Sequence, residues 1–254
     1  RRSAKSTMIA RLRKLRKSLT KRYRALRCGL MRGHRILVLG DSHAGVFEYI
    51  FDHDLLPPHL INCEIVGGAT GYGLNNDASS TGAFRKFQQG FRRFEHYDVI
   101  VIMLGEVDCS SALWLKANAE GRPVTDYLEH SLKGVRRLVD WVLQQQGKRT
   151  LVLAGAILPT VKDSQNATQA LEARRQIQVG QRARTDLVLE FNAGLRDLAI
   201  AKDVPYMDIT AATIDPQTGV VADDFLIPGE TDHHQSQSAT AAHWVAALSQ
   251  ALAG

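Results

Sequence analysis

Residues 40–43 read Gly-Asp-Ser-His, and residues 231–236 read Thr-Asp-His-His-Gln-Ser. A serine hydroxyl is a poor nucleophile at neutral pH until a base takes its proton, and the usual base is a histidine oriented by a carboxylate. The Gly40-Asp41-Ser42 run comes directly after an apolar run, Arg35–Leu39, and directly before a helical pattern that starts at His43. In that place the Ser42 N–H points out of a helix start and can hold a developing oxyanion while the hydroxyl attacks. The same residues would also serve as an ordinary helix cap, because Asp and Ser precede many helices. The second group tips the reading towards catalysis. Asp232 and His234 stand two apart in a polar loop before the last helical pattern, so the carboxylate can reach one imidazole nitrogen. An Asp cap with exposed histidines, or a stray metal site, would account for that loop alone. His233 is the other candidate base, with Glu230 as its acid; His234 with Asp232 is preferred.

Two further groups fall where strands end. Val66–Leu74 carries four glycines in seven positions (Gly67, Gly68, Gly71, Gly73), which suits backbone that turns sharply or offers N–H groups to an anion. Glycine richness alone also describes a plain loop. Leu104-Gly105-Glu106-Val107-Asp108 puts two carboxylates at one strand end. A glycosidase-type pair of acids would need more support than the sequence offers.

The elements that must position these residues follow from hydrophobic period. Arg35–Leu39, Leu60–Val66, Val99–Leu104, Thr150–Ala154 and Pro205–Asp208 read as strands. The run VIVIML suits a central parallel strand covered on both faces. Helical patterns cover His43–Phe51, Ala83–Phe94, Tyr127–Gln146, Gln165–Ala201 with a break near Gly180, and Ser236–Leu252. Five strands alternating with helices predict an α/β fold, a doubly wound parallel sheet in three layers, with ligands outside the strands' carboxyl ends.

The 254 residues, 44% hydrophobic and 23% charged, suit a globular body rather than a disordered chain. No apolar run is long enough to cross a bilayer. Cys28, Cys63 and Cys109 form no metal or redox spacing and suggest a reducing compartment. The net charge of +6 hides an asymmetry. Residues 1–35 carry 14 Lys/Arg and no acid, and the other 18 basic and 26 acidic residues leave the body at −8. Within the arm, Ile9, Leu12, Leu15, Leu19, Tyr23, Leu26 and Leu30 recur at steps of three and four, the pattern of a basic amphipathic helix. Residues 1–34 are therefore expected to be a helical linker outside a domain spanning 35–254. The arm fits a solvated or neighbour-packed helix, or residues 1–32 could contact an anionic membrane surface. Nucleic acid is not an expected partner, since no nucleic-acid motif accompanies the charge. No secretory leader is recognised, so a cytoplasmic location, peripheral to the membrane, is expected. Asn166-Ala167-Thr168 fits a glycosylation sequon and carries little weight without secretion.

Taken in order, the blocks resemble the SGNH/GDSL hydrolase superfamily over roughly residues 35–252. Gly40-Asp41-Ser42-His43 is similar to its first block, with His for the more usual Leu. The resemblance implies a flavodoxin-like sheet, Ser42 as nucleophile, and oxyanion donors in the N–H groups of Ser42 and of Gly71, which follows Thr70 as in the second block. The third block, Gly-x-Asn-Asp in the family, is Gly105-Glu106-Val107-Asp108 here, so Val107 replaces a side-chain donor. Asn75, Asn76 or a backbone N–H near Glu106 are the candidate replacements. The last block, Asp-x-x-His in the family, is Asp232-x-His234. Both variants are similar to SGNH-like proteins of bacterial surface-polysaccharide modification. Asp41, His43, Glu106, Asp108, Asn75 and His233 are expected around the site in supporting or substrate-binding roles. The implied activity is a serine esterase acting on O-acyl esters of carbohydrate, with no metal or organic cofactor. The alternatives are an O-acetyltransferase, which would use acetyl-CoA or another acyl donor as substrate, and a non-catalytic glycan-binding domain.

Overall fold

The computed structural model describes residues 19–93, 96–145, 149–163, 179–228 and 232–253. Glu230, Thr231, the sequon at 166–168 and the first 18 residues of the arm lie outside the described residues. Residues 19–30 are helical (α1) and lead to strand β1, Arg35–Gly40. A tight 3-10 turn, Ser42–Ala44, then opens helix α2, Gly45–Asp52. Strand β2 is Leu60–Ile65, and a second 3-10 turn, Tyr72–Asn75, precedes α3, Ala83–Arg93. Strand β3, Val99–Met103, runs into a wide π-type turn at Asp108–Ala112 that continues as α4, Leu113–Glu120. After α5, Thr125–Gln145, come β4, Thr150–Ala154, and α6, Gln181–Lys202. Strand β5 is only Tyr206–Met207; α7, Thr210–Thr213, and α8, Gln237–Ala253, close the chain.

All five strands are parallel, in the order β2-β1-β3-β4-β5. The chain goes from β1 to one side and then returns to the other, so the direction of winding reverses between β1 and β3. A crevice opens at the carboxyl ends of strands flanking such a switch point, and ligands of doubly wound sheets bind there. Gly40 and Met103 are register partners at that point.

Alternation along the strands feeds two cores. Leu37, Leu39, Ile100, Ile102, Leu151 and Leu153 face α3, α5 and α6. Ile36, Val38, Val99, Val101 and Val152 face α2 and α8. On the second face Phe47 and Trp244 pack ring to ring at 5.6 Å, both fully buried. That contact joins the helix after the first strand to the last helix, and so draws the loop preceding α8 towards the tip of β1.

Sequence period located every strand, while several boundaries moved. The helix expected over 165–201 is described from Gln181, with Gly180 as its extended cap residue. The π-type turn and α4 were not expected from the sequence. Their apolar residues, Leu113 and Ala117 among the buried ones, are too few to set a period. The arm joins the body through polar atoms. Arg24 is buried and donates to the carbonyls of Phe51 and Asp52 at the end of α2, and Arg27 makes a two-pronged pair with Asp54.

Candidate active site

Strand β1 delivers Ser42 to the crevice through a tightly built corner. A Cβ on Gly40 would lie 2.6 Å from the Met103 carbonyl oxygen and from the Ala44 methyl, so only glycine lets β1 turn this close to β3. The Asp41 carboxylate is buried and accepts the His43 N–H at 2.9 Å, capping the turn. Burial pushes the Asp41 carboxyl up to about 7; the nearby His43 opposes that shift, and the Glu106 charge adds to it. Ser42 opens the turn, half-buried, so its N–H belongs to the first donors of a helical run, which have no intrahelical acceptor.

The next side chain, His43, reaches across the switch point. Its Nε2 lies 2.6 Å from Glu106 Oε2, with both side chains 1% exposed. Glu106 also accepts the Ser110 hydroxyl from the π-type turn. A buried imidazole and carboxylate thus tie the end of β1 to the end of β3.

The tail loop arrives from the opposite side. Asp232 Oδ1 accepts both the backbone N–H of His234 at 3.0 Å and its ring Nδ1 at 2.6 Å. This double acceptance shows how two residues of separation suffice: the chain turns back over the carboxylate. His233 Nδ1 is 3.6 Å from the same oxygen. Burial alone would raise the Asp232 carboxyl, but the hydrogen bonds from His234 and the charges of both histidines outweigh it and hold the group below the usual carboxylate range. Gln235 anchors the loop by donating to the Leu158 carbonyl at 3.1 Å. With Nδ1 on a carboxylate, the proton of neutral His234 sits there and Nε2 is left as the basic nitrogen. The His234 ring lies 4.5 Å from that of His43, the residue after Ser42. Blocks 191 residues apart in sequence, at 43 and 234, therefore meet at one sheet edge.

Two expectations are corrected. The Gly71 N–H, expected as an oxyanion donor, donates to Asp108 Oδ2 at 2.8 Å, and the neighbouring Tyr72 N–H donates to Oδ1 at 3.0 Å. Ser131 donates its hydroxyl to the same carboxylate at 2.7 Å. Asp108 is thus the clamp of the glycine-rich loop. Burial pushes its carboxyl up to about 6, against the pull of these three donors. Gly71 is a glycine for a different reason: a Cβ there would sit 2.5 Å from Ser131 Oγ, and one on Gly134 would sit 1.8 Å from the Gly71 carbonyl oxygen. The loop and α5 touch backbone to backbone. Asn75 is likewise spoken for, donating to the His130 carbonyl at 2.8 Å and to Tyr72 at 3.3 Å, so it pins the loop to α5 instead of replacing the lost donor. Asn76 is exposed and accepts the Ala78 N–H. Val107, half-buried, offers no side-chain donor.

Among the described residues His43, His233 and His234 are the one group that could hold a metal ion, with a ligand atom of each within 4.8 Å of the others. Their rings are tilted over one another, His233 on His234 at 4.1 Å and His43 on His234 at 4.5 Å, both at 41°. Nitrogen lone pairs lie in the ring plane, so chelation at about 2.0–2.1 Å per bond would require the rings to swing edge-on. Beside them, a hollow lined by His43, Val46, Ile157, His234, Gln235 and Trp244 holds about 10 Å³, room for one water.

No family model matches the sequence, and no curated protein does. Solved structures do resemble the fold. A GDSL-like lipase from Bacteroides thetaiotaomicron superposes with a TM-score of 0.55 at 15% identity, covering 92% of this chain and 96% of that one. A carbohydrate acetylesterase family member from Sinorhizobium meliloti gives 0.53 at 16% identity over 86% and 95% of the chains. A lipase/acylhydrolase from Enterococcus faecalis gives 0.52 at 16% identity over 85% and 94%. The chain therefore has the α/β fold of the SGNH/GDSL hydrolases.

Proposed function

We propose that the chain is a serine esterase that removes short acyl groups from O-acylated carbohydrate through an acyl-enzyme on Ser42. The observation that carries this reading is the Asp232–His234 couple, 2.6 Å long, lying against the residue that follows Ser42. His234 Nε2 takes the Ser42 proton as Oγ bonds to the ester carbonyl carbon, and the imidazolium formed is held by Asp232. The Ser42 N–H holds the tetrahedral oxyanion. When the intermediate collapses, the bond to the alcohol oxygen breaks and His234 returns the proton to it. Water, deprotonated by the same nitrogen, then frees the acid and restores Ser42. A short acyl group on a polar alcohol is favoured by one structural relative, which is described as a carbohydrate acetylesterase family member.

Transfer to a sugar hydroxyl instead of water would use the same acyl-enzyme, and the Asp-x-His spacing favours keeping that second reading. Incubation with an activated acetyl ester, with and without a glycan acceptor, separates them: free acetate in both arms is esterase chemistry, and acetylated glycan is transfer. A fluorophosphonate should label Ser42 in either case. No label and no turnover would leave a glycan-binding domain.

A further inference from the structure

We infer that α1 is a docking surface for an anionic lipid bilayer, which holds the protein by the pole opposite its active site. The inference rests on which way the helix faces. An amphipathic helix that belongs to its own domain turns its apolar stripe inward. Here the reverse holds. Arg24, Arg27 and Cys28 face the body, the arginines engaged with the 51–54 segment and the Cys28 thiol donating to the Gly33 carbonyl at 3.2 Å. Leu19, Tyr23, Leu26, Leu30 and the adjoining Met31 are each between 61% and 75% exposed. At 3.6 residues per turn the first four fall within an arc of about 60°. This is one continuous stripe, and in the sequence Leu12 and Leu15 continue its spacing.

Charge decides what covers the stripe. Arg22 is exposed on the flank of the stripe, Lys21 and Arg32 are exposed elsewhere along the arm, and residues 1–35 hold 14 basic side chains and no acid. A second copy of the helix would bring equal positive charge against it. An anionic bilayer supplies both an apolar layer and the opposite charge, with each basic residue near the surface strengthening the attraction. Tyr23, amphipathic and beside the Arg27 guanidinium at 5.9 Å, suits the headgroup level. No helix among the described residues is long and apolar enough to cross a membrane.

The placement has a consequence for substrate. α1 leads into the amino end of β1 and is tied to residues 51–54, ahead of the start of β2. Ser42 follows the far end of β1, six residues and about 20 Å away. A bilayer held by α1 would leave the crevice facing the aqueous side, towards soluble or extended substrates and away from the lipid itself.

Co-sedimentation of the full chain with vesicles tests this. Phosphatidylcholine alone should bind weakly, and an equal mixture with phosphatidylglycerol should bind at least about tenfold more, an advantage that fades as salt rises. The Leu26→Glu, Leu30→Glu double variant should lose that binding at least about tenfold while its melting temperature stays the same, since both positions are exposed. The inference is overturned if the mixture binds no better than phosphatidylcholine, or if the double variant still binds. It is also overturned if sedimentation shows a dimer that the double variant dissociates, which would make the stripe a self-interface. Vesicle binding is read without turnover, so its outcome is independent of the esterase reading.

Discussion

Two histidine–carboxylate couples meet at the carboxyl end of the sheet, and they differ in little except burial. His43–Glu106 and His234–Asp232 each have a nitrogen-to-oxygen distance of 2.6 Å, and their imidazoles are 4.5 Å apart. The first is sealed, both side chains 1% exposed; in the second they are 26% and 34% exposed. A sealed couple sits in low dielectric, where its two partners are strongly dependent on one another and breaking it strands a charge. A half-exposed couple is individually weak, but it can exchange a proton with whatever enters the crevice. Burial, and not bond length, separates the couple that holds β1 to β3 from the one that the proposed esterase mechanism uses as its base.

The largest effects should dissociate the two couples. Asp232→Asn should lower ester turnover by about 10⁴-fold, because the carboxylate no longer fixes the His234 tautomer. Its effect on stability should be small, as for a surface pair. His43→Leu, which puts the more usual family residue after Ser42, should leave the Glu106 carboxylate buried without its imidazole and cost about 3–5 kcal/mol of stability. In calorimetry of a domain this size that is roughly 6–20 °C. Adding Glu106→Leu to that variant should recover most of the loss. If instead Asp232→Asn unfolds the protein and His43→Leu melts like the parent, burial has been given the wrong weight.

A smaller effect sharpens the sealed side. Asp41 and Asp108, at about 7 and about 6, both stand above the ordinary carboxylate value. Between that ordinary value and about 7 the folded chain keeps protons that the unfolded chain has released. Raising the pH through this window therefore lowers stability, by at most about 1.4 kcal/mol per pH unit for each group. Asp232, held low, acts in the other sense: its contribution is complete above the ordinary value and is lost only as the pH falls below it. The melting temperature should thus decline from pH 5 to pH 7. Asp41→Asn keeps an oxygen to accept the His43 N–H but has no proton to lose, so it should flatten the upper half of that decline. An unchanged slope in the variant would mean that Asp41 is not what titrates.

The residues of both halves were named from the sequence, but the pairings within the sealed half were not. Asp232 and His234 could be paired in the sequence because two residues of separation in a polar loop let the carboxylate reach the imidazole, and the structure has that contact. The five strands were legible because period-2 burial on two faces leaves long apolar runs such as residues 99–104. Gly71 and Asn75 misled for the same physical reason in each case. A glycine-rich loop offers free N–H groups only if no acid is folded over it, and Asp108 comes from the turn after β3, 37 residues on. Its purpose as the loop's clamp, like the pairing of His43 with Glu106, depends on β1 and β3 being neighbours; no local spacing states that.

The smallest expected effect concerns the donor that neither couple supplies. With the Gly71 N–H committed to Asp108 and Asn75 committed to His130, the Ser42 N–H is the donor that the reading requires, and Val107 occupies the place where the fold's relatives by resemblance carry an asparagine. Losing one oxyanion donor in a built site costs on the order of 10²–10³ in rate. Restoring one to a site not shaped around it should return less, so Val107→Asn should raise ester turnover by about tenfold. The position is half-buried, and its carbonyl already accepts the Ser111 hydroxyl at 3.0 Å, which keeps the backbone fixed while the side chain changes. The gain should appear in kcat with KM little changed, because the oxyanion develops in the transition state and tetrahedral intermediate and is absent from the bound substrate. A gain confined to KM would mean that the new amide binds substrate outside the reacting centre. A fall in kcat would mean that an apolar wall at Val107 matters to the chemistry, and that the hole is completed by a group on the substrate side of the crevice.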